Sequence, residues 1–257
     1  MYVKYYNLNE APFNITPDPR FMYFASHYQE AYDHIMYGIS QRKGFIELTG
    51  EVGSGKTTLC RAILADLKKD VSTAFILNPL LTETQLLRAM LNDFGLETKG
   101  RDRLAYIETL NDFLLKKNSA GINVVLILDE AQDLSPQVME QVRLLSNLET
   151  DQQKLIQIVL CGQPELKKRL GHANLRQLRQ RITIRYHLQP LTHEDTIMYI
   201  KHRLFVAGPK GKVTFNSAAV RIIYKYAKGS PRLTNAVCDN ALLAGYIVGT
   251  DNIDAQC

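Results

Sequence analysis

The stretch Phe45-Ile46-Glu47-Leu48-Thr49-Gly50-Glu51-Val52-Gly53-Ser54-Gly55-Lys56-Thr57-Thr58-Leu59 decides the fold. Phe45–Thr49 reads as a strand and Lys56–Lys69 as a helix. The pattern Gly50-x-x-x-x-Gly55-Lys56-Thr57 therefore lies at a strand-to-helix turn, the context in which it cradles nucleotide phosphates. Glycines let backbone N–H groups curl around an anion, and the following helix presents its positive end to it. Lys56 is expected to reach the β- and γ-phosphates, and the Thr57 hydroxyl to ligate Mg²⁺. The cofactor is thus expected to be ATP with Mg²⁺, held by Gly50, Glu51, Val52, Gly53, Ser54, Gly55, Lys56, Thr57 and Thr58.

Downstream, the apolar run Val124-Val125-Leu126-Ile127-Leu128 ends in Asp129-Glu130. In a parallel sheet ligands gather at the carboxyl ends of the strands, so these two carboxylates are expected beside the phosphate loop. Asp129 would hold the Mg²⁺ shell, and Glu130 would orient and polarise the attacking water, as phosphoryl transfer requires. A further strand reading, Leu155–Leu160, runs into Cys161-Gly162-Gln163, which makes Gln163 a candidate for contact with the γ-phosphate or that water.

Around these motifs, strand and helix patterns alternate. Thr73–Leu77 and Ile182–His187 read as strands, and residues 83–94, 102–117 and 137–148 as helices, the last with Ser135 as its cap and Pro136 at its first position. Alternation of this kind argues for an α/β fold, a five-stranded parallel sheet sandwiched by helices. After Pro190 the strand signal stops. Residues 193–206, 216–227 and 231–247 read as helices, broken at Gly208-Pro209-Lys210-Gly211 and Gly229-Ser230-Pro231. The expected organisation is an N-terminal arm over 1–25, an α/β nucleotide-binding core over 26–190, and a small helical lid over 191–257. The proline- and aromatic-rich arm reads as extended. The last residues read as a helix start with no room to continue.

Composition narrows the classes. Four cysteines lie far apart with no histidines at zinc spacing, so neither a disulfide framework nor a zinc site is expected. No signal-type apolar segment opens the chain and no run of 18 apolar residues follows. A cytoplasmic protein without membrane insertion fits these features. The run Asp129-Glu130-Ala131-Gln132 resembles the acidic box of helicases, but a second helicase core and an arginine-rich helicase motif downstream are missing.

The order of motifs resembles the AAA+ superfamily: the phosphate loop, the acidic strand, a sensor at Gln163, arginines at Arg176, Arg179 and Arg181 ahead of the fifth strand, and Arg232 opening a lid helix. The resemblance implies that one of those arginines acts in trans on a neighbour's ATP, with Arg181 first by motif position and Arg179 next. It also implies that Arg232 reaches the phosphates from the lid, that the chain forms a homo-oligomer with nucleotide at subunit interfaces, and that Glu130, Lys56, Arg181, Arg232 and Gln163 take part in hydrolysis. A closer likeness is carried by Tyr5-Tyr6-x-Leu8-x-Glu10-x-Pro12-Phe13-x-x-x-Pro17-Asp18-Pro19-Arg20-Phe21, Gly44-Phe45-x-x-Leu48-Thr49-Gly50-Glu51-Val52-Gly53, Leu160-x-Gly162-Gln163-Pro164-Glu165-Leu166 and Gly229-Ser230-Pro231-Arg232. These segments are similar to the general secretion pathway protein A family, whose relatives include ATPases of pilus biogenesis. That implies a partner in envelope assembly, and gives Pro12, Phe13 and the segment up to Tyr28 a role as a wall for the adenine.

One feature points elsewhere. Residues 201–232 carry eight lysines and arginines and no acidic residue, within a chain of net charge +5. A segment so basic suits nucleic acid, so a DNA-associated ATPase regulating transposition or replication stands as the second reading.

Overall fold

The computed structural model describes residues 1–67, 71–77, 80–98, 100–150, 153–208 and 210–256. Lys69, Pro209 and Cys257, on which parts of the sequence reading fall, lie outside the described residues. In chain order the elements are α1 (Tyr2–Tyr5), α2 (Ser26–Ser40), β1 (Phe45–Gly50), α3 (Lys56–Asp66), β2 (Val71–Ile76), α4 (Glu83–Asp93), α5 (Arg103–Ser119), β3 (Asn123–Leu128), α6 (Pro136–Leu145), β4 (Gln157–Gly162), α7 (Pro164–Leu170), α8 (Arg176–Arg181) and β5 (Ile182–Leu188). Then follow α9 (His193–Ala207), β6 (Thr214–Phe215), α10 (Ser217–Ala227), α11 (Pro231–Val248) and β7 (Asn252–Ile253).

The chain divides into two compact units: one of Met1–Gln29, Glu51–Arg61 and Gln189–Cys257, the other of Glu30–Gly50 and Ala62–Leu188. The second contains the sheet, five strands in the order β2-β3-β4-β1-β5, every pair parallel. β1, β3 and β4 are the inner strands, and all six residues of β1 and of β4 are buried, as strands covered on both faces must be. Leu86, Leu87 and Met90 of α4, Leu110 and Leu114 of α5, and Val138 and Val142 of α6 build the core with alternate residues of β3 and β4. Because the strands are parallel, the residues that follow β1, β3 and β4 emerge at one edge.

Helix starts follow local chemistry. Thr82 and Gln85 form a reciprocal cap for α4, Thr192 and Asp195 do the same for α9, and Ser135 accepts from the Val138 N–H ahead of Pro136.

Two expectations need correction, and one helix was not read. The arm is not extended throughout: Tyr2–Tyr5 makes a helical turn, and Pro19–Phe21 a 3₁₀ turn. Proline is tolerated at the first position of such a turn, and the Asp18 side chain accepts from the Arg20 N–H to start it. Ser26–Ser40 is a helix on its own account, with Ala31, Ile35 and Ile39 buried one turn apart. The C-terminal stretch does not begin a helix. Gly249, at φ +81°, ends α11, and Asn252–Ile253 turns back to pair in parallel with Thr214–Phe215, burying Ile253 completely.

In the first unit, Arg203 on α9 ties the arm to the helices. It is 7% exposed and donates to the carbonyls of Pro12 (2.5 Å) and Asn14 (3.2 Å) and to the Tyr199 hydroxyl (2.9 Å), with its guanidinium 4.7 Å from the Phe21 ring centre. Arg203→Met keeps the stem but removes these donors from two carbonyls. At about 1–3 kcal/mol per orphaned buried group, unfolding in urea should show a loss of about 3 kcal/mol. A change under about 0.5 kcal/mol would mean that the arm is held by other contacts.

Candidate nucleotide-binding and hydrolysis site

The first unit holds the phosphate loop. Gly53 and Gly55 adopt φ of +74° and +88°, a backbone region that other residues enter with strain. Gly53 also meets the start of α11. A Cβ added there would lie 2.7 Å from Arg232 Cβ and 3.0 Å from Ser230 Oγ, and the Gly53 carbonyl accepts from the Arg232 N–H at 3.2 Å. Arg232, itself exposed, thus stands at the start of α11 against the loop. From the start of α2, the buried Tyr28 hydroxyl donates to the Ser54 carbonyl at 2.5 Å, and its ring edge lies 3.5 Å from where a Gly55 Cβ would be. Burial raises the Tyr28 phenol well above its ordinary range, which keeps it a donor. Tyr28 is a loop-holding residue that the sequence reading met only as the end of the adenine segment.

Lys56 is 6% exposed, and its Nζ donates to the Glu51 carbonyl at 3.0 Å. The Ser54 hydroxyl is buried without a hydrogen-bond partner. A turn with two left-handed glycines, a buried lysine, an unsatisfied hydroxyl and the start of α3 is a set of donors suited to an anionic phosphate chain. Thr57 and Thr58 stand partly exposed in the first turn of that helix. Pro12 and Phe13 are both buried, Phe13 at 1% exposure with its ring edge-on to Phe215 at 5.9 Å. Both side chains thus lie in the packed interior of that unit.

The second unit holds the acidic residues at the emerging edge of the sheet. Asp129, 2% exposed, follows β3 and donates its N–H to the Ile76 carbonyl of β2 at 2.9 Å, while its Oδ1 accepts from the Glu130 N–H at 3.0 Å. Glu130 has φ 51° and ψ 38°, a left-handed conformation that costs a non-glycine residue about 1–3 kcal/mol and recurs at functional sites. Its carboxylate Oε2 receives two amide donors, Gln132 Nε2 at 2.8 Å and Gln163 Nε2 at 3.2 Å. Gln163, between β4 and α7, is thus brought to Glu130. Gly50 ends β1 in the same unit, beyond β4 from Asp129. Among the described residues no group of three His, Cys, Asp or Glu converges to hold a metal. A Mg²⁺ here would take its remaining ligands from phosphate and water, the usual arrangement for this ion.

The three arginines sit on α8. Arg181 donates to the Ser146 hydroxyl, to Asn147 Oδ1 (2.6 Å) and to the Arg143 carbonyl (3.5 Å), all at the C-terminal end of α6, where a cation is favoured. Arg176 and Arg179 are exposed. The Arg179 carbonyl accepts from Arg185 Nη2 at 2.6 Å, and Arg185 in turn pairs at 3.2 Å with Glu47, a carboxylate 3% exposed within β1. Burial pushes the Glu47 carboxyl above its ordinary range, and Arg185 opposes that shift.

Comparison with known proteins agrees with this architecture. An AAA domain model matches residues 39–170, just over half the chain. General secretion pathway protein A of Aeromonas hydrophila is 45% identical over 254 residues, covering 98% of this chain and 46% of that protein, so the chain spans about half the length of this relative. Among solved structures, the Aeropyrum pernix ORC2 protein, described in ADPNP and ADP complexes, superposes with a TM-score of 0.70 at 15% identity, covering 96% of this chain and 70% of that one. Cdc6p of Pyrobaculum aerophilum gives 0.73 at 15% identity, covering 94% and 67%. These two likenesses speak to the fold alone. The family match and the near-full-length identity together place the chain: it belongs to the AAA domain family and is related over almost all its length to general secretion pathway protein A.

Proposed function

We propose that this chain binds ATP with Mg²⁺ and hydrolyses it to ADP and phosphate, working as a homo-oligomer that drives or switches assembly of a bacterial envelope machine of the type II secretion or type IV pilus kind. The observation that carries the chemistry is the Glu130 carboxylate, held in a left-handed turn by two amides. A phosphate-binding scaffold that only switches on nucleotide needs no such placement of a base. Lys56 and the loop N–H groups would bind the phosphates, Thr57 and Asp129 would hold the Mg²⁺, and that ion would neutralise charge building on the phosphates. Glu130 would orient the water and take its proton, and Gln163 and Arg232 would contact the phosphoryl group. An arginine of a neighbouring subunit, Arg181 first, would complete the site. The envelope role is supported by the 45% identity to general secretion pathway protein A. No helix among the described residues is long and apolar enough to cross a membrane, which suits cytoplasmic work at the periphery of an inner-membrane complex.

The DNA-associated reading keeps one observation in its favour. Lys201, Lys210, Lys212, Arg221, Lys225, Lys228 and Arg232 are all exposed, and only Arg203 of that basic segment is buried. One experiment separates the readings: phosphate release from Mg²⁺-ATP, with and without duplex DNA, over a range of salt. The envelope reading expects turnover indifferent to DNA. Stimulation by DNA, with affinity falling by about 0.9 log units per log salt for each phosphate neutralised, would move the assignment to DNA. Absence of any phosphate release at concentrations where the protein is oligomeric would sink the ATPase proposal.

A further inference from the structure

Gln132 lies in the 3₁₀ turn Ala131–Asp133 that follows Glu130, 8% exposed, and its side chain makes three hydrogen bonds. Nε2 donates to Glu130 Oε2 at 2.8 Å and to Asp133 Oδ2 at 3.1 Å, and Oε1 accepts from the Gln163 backbone N–H at 3.0 Å. We infer that Gln132 is the positioning residue of hydrolysis, fixing the Glu130 carboxylate and the Gln163 backbone to each other as one unit. The inference rests on the proposed role of Glu130 and extends it to a residue that touches neither nucleotide nor water.

The orientation of the amide follows from its partners. A backbone N–H on one side demands the oxygen there, and two carboxylates on the other demand the nitrogen. A flipped amide would set oxygen against carboxylate and N–H against N–H.

The surroundings are shaped to this side chain. A Cβ at Gly162, the last residue of β4, would lie 2.7 Å from Gln132 Oε1 and 3.0 Å from Leu166 Cδ2, so only glycine leaves the amide its place. Arg169 of α7 donates one guanidinium nitrogen to the Gln132 carbonyl and another to the Leu134 carbonyl, fixing the turn from outside. Arg169 therefore belongs to the same device.

There is a functional reason for two amides on one carboxylate oxygen. Gln163 is proposed to contact the phosphoryl group, and an N–H turned toward phosphate is lost to Glu130. Gln132, which faces only Glu130, Asp133 and the backbone, keeps the carboxylate placed through that exchange. With Oε2 occupied, Oε1 is the oxygen left to face a water.

The test is steady-state ATP hydrolysis of the full chain, with binding of a fluorescent ATP analogue and thermal unfolding measured beside it. Gln132→Met keeps the length and removes all three bonds. A catalytic group displaced by about 1 Å loses about 10²-fold, so kcat should fall about 10–100-fold while KM and analogue binding stay within about 3-fold. Gly162→Ala should reproduce that split with Gln132 still present, because its methyl group expels the amide. The two changes together should cost little more than Gln132→Met alone, since both act through one side chain. If Gln132→Met does not fold, Gln132→Glu decides: it keeps the acceptor for Gln163 but sets a carboxylate against Glu130, and should lower kcat with KM retained. Unchanged kcat in these variants, or equal losses in kcat and in nucleotide binding, would overturn the inference. Glu130→Gln, run in parallel, separates the two layers. If it hydrolyses at the wild-type rate, the assignment of Glu130 itself falls and that of Gln132 with it.

Discussion

Glu130→Gln should bind ATP with nearly wild-type affinity and hydrolyse it about 10²–10⁴-fold more slowly, whereas Lys56→Ala should fail at binding. The contrast follows from what each side chain does. The Glu130 carboxylate is expected to act on water, and a general base positioned at the reacting atom contributes about 10²–10⁴ in rate. Glutamine keeps the size and can still accept from the amides of Gln132 and Gln163, so the turn around residue 130 has little reason to move. Lys56 is instead proposed to meet the phosphates as a point charge. Its loss removes a charge-assisted bond of about 1.5–3 kcal/mol, and at about 1.4 kcal/mol per decade affinity should drop by about 10–100-fold. Equilibrium binding of a fluorescent ATP analogue and phosphate release under saturating ATP distinguish the two. Wild-type turnover in Glu130→Gln would show that another group activates the water. Unchanged affinity in Lys56→Ala would remove the phosphate-binding role of the loop lysine.

How much of this was legible in the sequence depended on the range of the signal. The phosphate loop and the acidic strand were readable because each is a local pattern whose meaning lies in its flanks, and the apolar run Val124–Leu128 falls wholly within β3. Elements defined by distant partners were not readable. β6 and β7 are two residues each, and only their pairing across 38 residues of chain makes them strands. Ser26–Ser40 escaped because its buried Ala31, Ile35 and Ile39 are set among His, Tyr and Asp, which weaken the apolar period.

The same division holds for the site. Gln163 was found by its place after a strand. Gln132 was seen only as a letter in an acidic run, since its value lies in a backbone N–H 31 residues away and in the notch at Gly162. Tyr28 shows the limit most clearly. A tyrosine near a loop says nothing until its hydroxyl is found on the Ser54 carbonyl. Phe13 is packed edge-on to Phe215 at 1% exposure, a burial that its place in an aromatic-rich stretch does not reveal.

Hydrolysis should need at least two subunits, and Arg181→Ala should bind ATP normally but turn it over about 10³-fold more slowly. A guanidinium supplied to the transition state by a neighbour is worth about 10³–10⁵ in related phosphoryl-transfer enzymes. Within its own chain Arg181 rests on oxygens at the end of α6, among them Asn147 Oδ1 at 2.6 Å. To serve a neighbour it must exchange these for phosphate oxygens, and hydrogen bonds to neutral acceptors are given up for charge-assisted ones of about twice the strength. Specific activity should therefore rise with protein concentration as oligomers form. Arg181→Ala mixed with Glu130→Gln should regain part of the activity, because the first mutant keeps an intact Glu130 that the second mutant's Arg181 can complete. Arg181→Lys should recover little, since a lysine cannot form the planar two-pronged contact. Arg179 is the control, exposed on the same helix and two residues earlier. If Arg179→Ala abolishes turnover while Arg181→Ala does not, the finger is Arg179, and Arg181 is left as a clamp on the end of α6. If activity per subunit is independent of concentration and a co-assembled mixture shows no rescue, the reaction is completed within one chain and neither arginine acts in trans.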